Sequence, residues 1–258
     1  MFTRWRNYRR QRLLQRRSIA PSLWQEVTAQ QPLLKGLNLA ERQRLQEYSI
    51  LFMEEKAIVG AQGLIPNPQQ RLTIALQATL PVLALGFDWL AGWREVILYP
   101  SAFIVDGEEI DEAGVVHRYR EVRSGEAWQH GAVILGWSEI CEPSEGSLVI
   151  HEIAHKLDAR SGSLDGMPPL PPDLSPAHWI ATCTRIYQEM EALLDAGAEP
   201  LADPYAAENP AEFFAVFSEL FFTAPGFFTA YYPELYSLFR QFYRQDPAAR
   251  LKIGVTNG

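Results

Sequence analysis

Ser147-Leu148-Val149-Ile150-His151-Glu152-Ile153-Ala154-His155-Lys156-Leu157-Asp158 is the stretch on which the reading of this 258-residue chain turns. Ile150, Ile153, Ala154 and Leu157 recur at i, i+3, i+4 and i+7, the stripe of an amphipathic helix. Gly162 follows where a left-handed cap can close it. On such a helix His151 and His155 project from one face, beside the apolar stripe and not over it. Two imidazoles so placed can bind one metal ion, and Glu152 between them can reach a water on the ion's open position. A carboxylate there takes a proton from that water and later passes it to the leaving amine. The pattern points to a zinc-dependent hydrolase of peptide bonds. The competing reading is a histidine pair that merely caps or packs a surface helix.

Working outward, residues 132–136 read as a strand able to offer a sheet edge to an extended peptide. The third metal ligand has to come from further along. A metzincin would place a histidine at position 161, which here is Ser161. His178 lies on an apolar-striped helix and reads as a surface residue. The stretch Asp203-Pro204-Tyr205-Ala206-Ala207-Glu208-Asn209-Pro210-Ala211-Glu212-Phe213-Phe214-Ala215 offers better candidates. Pro210 suits a first helical turn, which puts Glu212 inside that turn and Glu208 just outside it. Phe213, Phe214 and Phe217 carry the helix into the core, so an acid beside them needs a partner. Glu219, seven residues beyond Glu212, shares its face; it is a rival ligand, a supporting group, or simply a solvated carboxylate.

The helix motif together with Asn209-Pro210-Ala211-Glu212-Phe213-Phe214-Ala215 resembles the MtfA (Mlc titration factor A) family. These are bacterial zinc peptidases similar to the catalytic domain of anthrax lethal factor. The likeness extends to Leu98-Tyr99-Pro100-Ser101-Ala102-Phe103 and Gly136-Trp137-Ser138-Glu139, and covers most of the chain after about residue 20. It implies a zincin-like fold and one zinc ion per chain, held by His151, His155 and Glu212 with Glu152 as general base. It also implies that Tyr205, seven residues before Glu212, donates a hydrogen bond to the oxyanion. Aminopeptidase-like activity on small substrates is implied, as is binding to Mlc, a transcriptional repressor linked to glucose uptake. The rival reading that follows is a regulatory protein that sequesters the repressor, with proteolysis secondary. Asp158, on the histidine face, either orients a ligand imidazole or is a plain helix-end carboxylate. One departure stands out. Better-known gluzincins often carry an Asp four residues after the third ligand to buttress a histidine; that position here is Val216.

The remaining chain sets limits on these readings. The net charge is −8, yet Arg4, Arg6, Arg9, Arg10, Arg12, Arg16 and Arg17 put +7 into the first 17 residues, leaving −15 for the rest. So acidic a body argues against direct nucleic-acid binding by it. Residues 1–20 read as a basic arm, either a solvated, frayed terminus or a dock for an acidic partner, nucleic acid or lipid headgroups. Cys141 and Cys183 make no disulfide framework, and no secretory signal is visible. The longest apolar stretch, residues 72–90, is broken by Gln77, Pro81, Gly86 and Asp88, so no membrane span is expected. A soluble, cytoplasmic protein is the expectation.

Helices are expected over residues 39–56, capped by Asn38, and 69–80, stopped by Pro81. Further helices should open at Ser175-Pro176, Asn209-Pro210 and Pro233. Strands are expected at 96–99, 103–105, 115–122 and 132–135, the third half-exposed with His117, Tyr119 and Glu121 on one side. This order gives an α+β fold, mostly helical, with a small twisted mixed sheet. Residues 21–258 read as one domain, with N-terminal helices and sheet over 21–140 and the active-site and C-terminal helices over 141–258. Phe227, Phe228, Tyr231, Tyr232 and Tyr236 are a candidate partner surface beside the basic arm.

Overall fold

Two helices, α1 (Phe2–Leu14) and α2 (Pro21–Ala29), lead into a pair started by one shared device. In α3 (Leu39–Glu55) Asn38 accepts from the Glu41 amide while the Glu41 carboxylate accepts from the Asn38 amide. Asn67 and Gln70 repeat this capping box, with β1 (Ala57–Gly60) intervening, at the head of α4 (Pro68–Thr79). Leu72, Ile74, Ala75, Leu76 and Ala78 are all fully buried, so α4 is enclosed on every side from Leu72 onward. Its Thr79 satisfies itself by donating to the Ala75 carbonyl. The computed structural model describes the backbone of residues 2–110, 116–123, 125–127, 131–141 and 146–255, and the side chains of 5–102, 131–141 and 146–251.

The strands divide into two sheets. β2 (Glu95–Tyr99) runs parallel to β1, as the helical crossover through α4 allows. β3 (Phe103–Ile110) and β4 (Val116–Arg123) form a separate antiparallel pair, Phe103 opposite Arg123. β5 (Gly125–Ala127) is antiparallel to β6 (Val133–Gly136), which is parallel to β2, giving a mixed sheet in the order β1-β2-β6-β5. Val96, Leu98, Val133 and Leu135 bury one of its faces.

Three expectations need correction. β1 was not foreseen: four residues wedged between a helix and a glycine carry too little alternation to register. The single sheet expected over residues 95–138 is two sheets. β6 does not supply the edge for a peptide, because β5 covers its outer side and is itself the edge among the described residues. The half-exposed character expected of His117, Tyr119 and Glu121 lies outside the described side chains.

The helical half follows as α5 (Trp137–Cys141), α6 (Leu148–Asp158), α7 (Pro176–Asp195), α8 (Pro210–Thr223), α9 (Pro225–Tyr231), α10 (Pro233–Tyr243) and α11 (Pro247–Val255). From α7 onward each helix opens on a proline, whose missing N–H is no loss in a first turn. α8 forms the centre of the core: Phe214, Phe217 and Phe221 are fully buried, and Trp179 of α7 stacks on Phe239 of α10 at 5.5 Å. Each such ring stabilises the fold by on the order of 2–3 kcal/mol. The phenol of Tyr243 donates to Ser218 Oγ at 2.8 Å, and that hydroxyl donates to the Phe214 carbonyl. Phe228 and Tyr236 are buried here, so the aromatic C-terminal segment is mainly core, although Tyr231 remains exposed.

The basic N-terminal stretch is not a frayed arm. Arg6 and Arg10 donate to Asp88, Arg10 also donates to Glu55 at 2.7 and 3.0 Å, and Arg17 pairs with Glu54 at 3.0 Å. These contacts lay α1 against α3 and the turn around Phe87, whose ring lies 4.7 Å from the Arg10 guanidinium. No single helix among the described residues is long and apolar enough to cross a membrane.

Candidate metal centre

α6 starts where the Ser147 hydroxyl accepts from the Ile150 amide. It buries its apolar stripe and also His151, Glu152, His155 and Asp158, each at most 8% exposed. α8 runs antiparallel beside it. Asn209 caps α8 by accepting from the amides of Ala211 and Glu212, both at 3.0 Å, which fixes the first turn and with it the base of the Glu212 side chain.

Glu212 Oε2 lies 2.9 Å from His151 Nε2 and 3.3 Å from His155 Nε2, and the two nitrogens are 3.1 Å apart. One donor atom from each residue falls within a 4.8 Å cluster. Burial alone would raise the Glu212 carboxyl, but hydrogen bonds from the two imidazoles outweigh it and hold the group at about 2. His151 shows the converse. Burial opposes its charge, yet the Glu212 and Glu219 carboxylates lift its pKa well above the usual range. One divalent cation in place of the protons in those hydrogen bonds would accept a lone pair from all three atoms. Two imidazoles and one carboxylate are also the donor set of three-ligand catalytic zinc sites.

Glu219 is not the solvated carboxylate that its spacing suggested. Its Oε1 lies 2.6 Å from His151 Nδ1, and its Oε2 accepts from the Ser147 amide at 2.8 Å. With Nδ1 donating to Glu219, loss of the Nε2 proton would leave that nitrogen's lone pair free for a metal ion on the Glu212 side. The support absent at Val216 therefore arrives three residues later. Gly146 makes room for it: a Cβ there would sit 2.3 Å from Glu219 Oε2. Behind Ser147 the network continues, its hydroxyl donating to Gln77 and the Gln77 amide to Gln31, both at 2.9 Å. This buried relay from α4 was not legible in the sequence, where Gln77 looked like an interruption of an apolar run.

Tyr205 rides on the short turn Pro204–Ala207, whose start Asp203 caps by accepting from the Tyr205 amide. Its ring lies 6.1 Å from that of His151, tilted by 30°, and is 47% exposed. The phenol of Tyr187 donates to the Ala207 carbonyl at 2.9 Å and ties this turn to α7.

Asp158 orients no imidazole. Its Oδ2 accepts from the Gly166 amide at 2.9 Å, and burial pushes its carboxyl up to about 6. Gly166 has φ at +72°, its carbonyl accepts from the Trp179 indole, and a Cβ there would sit 2.3 Å from the Pro210 carbonyl oxygen. α6 and α8 are thus joined at both ends, through Glu219 at one and through Asp158 and Gly166 at the other. The cluster lies between. His178 and Glu208 stand apart from it: His178 is exposed near Glu234, and Glu208 is exposed at the end of the Tyr205 turn.

The sequence profile of the glucose-regulated metallo-peptidase M90 family matches residues 5–244. A protein named Mlc titration factor A from Klebsiella pneumoniae is 42% identical over 234 residues, covering 88% of this chain and 87% of its own length. A protein of the same name from Salmonella typhimurium is 41% identical over 234 residues, 88% of each chain.

Proposed function

The chain belongs to the glucose-regulated metallo-peptidase M90 family, and from that premise we propose that it is a zinc-dependent peptidase. The carrying observation is the convergence of His151, His155 and Glu212 on one point between two buried helices. His151 and His155 would each contribute Nε2 and Glu212 a carboxylate oxygen. Zinc bound there would supply Lewis acidity, polarising a carbonyl and lowering the pKa of a water to about 7. Glu152, one residue after His151 on the same buried helix, would serve as the general base that takes a proton from the attacking water and passes it to the leaving amine. The half-exposed Tyr205 donates a hydrogen bond to the oxyanion as the carbonyl becomes tetrahedral. Glu219 holds the His151 ring with Nε2 facing inward. The reading takes the fold as zincin-like, residues 21–258 as one peptidase domain with α1 laid against it, and the activity as aminopeptidase-like on small substrates in the cytoplasm.

Metal analysis and a peptide-library cleavage assay on wild type and Glu152→Gln test it. Zinc near one per chain in both proteins, with cleavage confined to wild type, is the expected result. Full activity in the variant would sink the mechanism.

The name of the relatives supports a second reading, in which the protein binds a repressor of the Mlc type and cutting is secondary. Glu152→Gln separates the two: relief of repression by the inactive variant would favour sequestration.

A further inference from the structure

α1 and the turn that follows it carry two basic faces in different surroundings. Toward the body, Arg6, Arg10 and Arg17 meet Asp88, Glu55 and Glu54. Outward, Arg9, Arg12 and Arg16 are all exposed, at i, i+3 and i+7, and among the described residues no carboxylate pairs with any of them. Trp5 and Tyr8 begin the same stripe, 60% and 56% exposed. The Arg9 guanidinium sits over the Trp5 ring at 4.8 Å, and that of Arg12 over Tyr8 at 5.8 Å.

We propose that this outward face is a docking site for an acidic segment of a partner protein, independent of the metal centre. Three positive charges with no paired carboxylate among the described residues stand on a chain whose residues beyond 17 carry −15, so an anionic partner is steered to this face. Cation–π contact with the rings restrains two of the guanidinium groups, which lowers the ordering cost of binding carboxylates. Exposed Trp, Tyr and Arg are also the residue types that dominate binding energy at protein interfaces. Trp5, Tyr8, Arg9 and Arg12 share one helix face about 10 Å wide, Arg16 follows just past its end, and Glu54, Glu55 and Asp88 lie along its body side. A flat anionic membrane or a duplex would press its own charge onto those acids, whereas a narrow peptide segment avoids them. Single-stranded nucleic acid would use the rings as stacking platforms, and one face of each is already taken by a guanidinium.

Fluorescence anisotropy with the full chain and a labelled oligoglutamate peptide tests the proposal, with a labelled single-stranded oligonucleotide and phosphatidylserine vesicles as parallel arms. The expected result is peptide binding that weakens with salt. It should fall at least about tenfold when Arg9, Arg12 and Arg16 are all changed to Ser, with helix content unchanged. The triple change to Lys keeps the charge and loses the planar forks, so it too should bind more weakly than wild type. Absent peptide binding, undiminished binding by either variant, or tighter binding of the oligonucleotide or the vesicles would overturn it.

Discussion

Glu219 Oε1 stands 2.6 Å from Nδ1 of His151, on the ring nitrogen opposite the one that faces Glu212. One imidazole is thereby held between two carboxylates from the same helix, seven residues apart. The outer carboxylate accepts from Nδ1, and the inner one would share a bound ion with Nε2. Changing Glu219 to Gln leaves the metal cluster's own atoms in place and removes one of the two acceptors that hold His151 and Ser147. Zinc affinity should fall by about 10- to 100-fold, as for other carboxylates behind ligand histidines. Competition with a chromophoric chelator measures this directly; affinity equal to wild type would show that Glu219 is only a structural acceptor.

Gly146→Ala should reach a similar end by sterics. Its new methyl group would come within 2.3 Å of Glu219 Oε2 and must displace that carboxylate. Gly226, where a Cβ meets nothing within 4 Å, is a fair control. Zinc affinity should drop in Gly146→Ala and hold in Gly226→Ala, a contrast that isothermal titration would register.

Tyr205→Phe should lower turnover by about 10²- to 10³-fold, the effect of losing one oxyanion donor. Zinc content and the Michaelis constant should change little, because the half-exposed ring is outside the ligand set. A loss confined to the Michaelis constant would assign Tyr205 to substrate binding instead.

Asp158 makes stability depend on pH in a direction unusual for a carboxylate. Its folded pKa of about 6 exceeds the ordinary 3.8, so the folded state favours the protonated acid. The corresponding stability is complete below about pH 4 and is lost as the pH rises through 6. Asp158→Asn keeps an oxygen to accept from Gly166 and has no charge to bury. It should be more stable than wild type at pH 8 by on the order of 2 kcal/mol, and the gap should close near pH 4. Urea melts of the chelator-treated proteins at the two pH values decide this, and an equal gap at both would refute the assignment.

Much of this was legible in the chain because the signals are local. The α6 stripe, the Asn38 cap and the prolines opening α7, α8 and α10 each act within a few residues, and the structure starts those helices within one residue of the expected positions. β1 and the split of the sheet were not legible, because strand pairing is a choice between segments far apart in sequence. The role of α1 was hidden for the same reason: its arginines look like a solvated run until Asp88, Glu54 and Glu55 are brought beneath them.

For the metal centre the division is sharper. The sequence by itself determined that His151 and His155 share a helix face with Glu152 between them, since a spacing of four on a helix leaves no alternative. It left Glu208, Glu212, Glu219 and His178 as rival third partners until a family resemblance chose among them. Only the tertiary structure assigned the two nearest rivals their places, Glu212 on Nε2 and Glu219 on Nδ1 of one ring. The reason is physical: which carboxylate meets which nitrogen depends on how far α8 slides along α6. That offset is set by Gly146 and Gly166 packing where no side chain fits, and by Asp158 holding the far end.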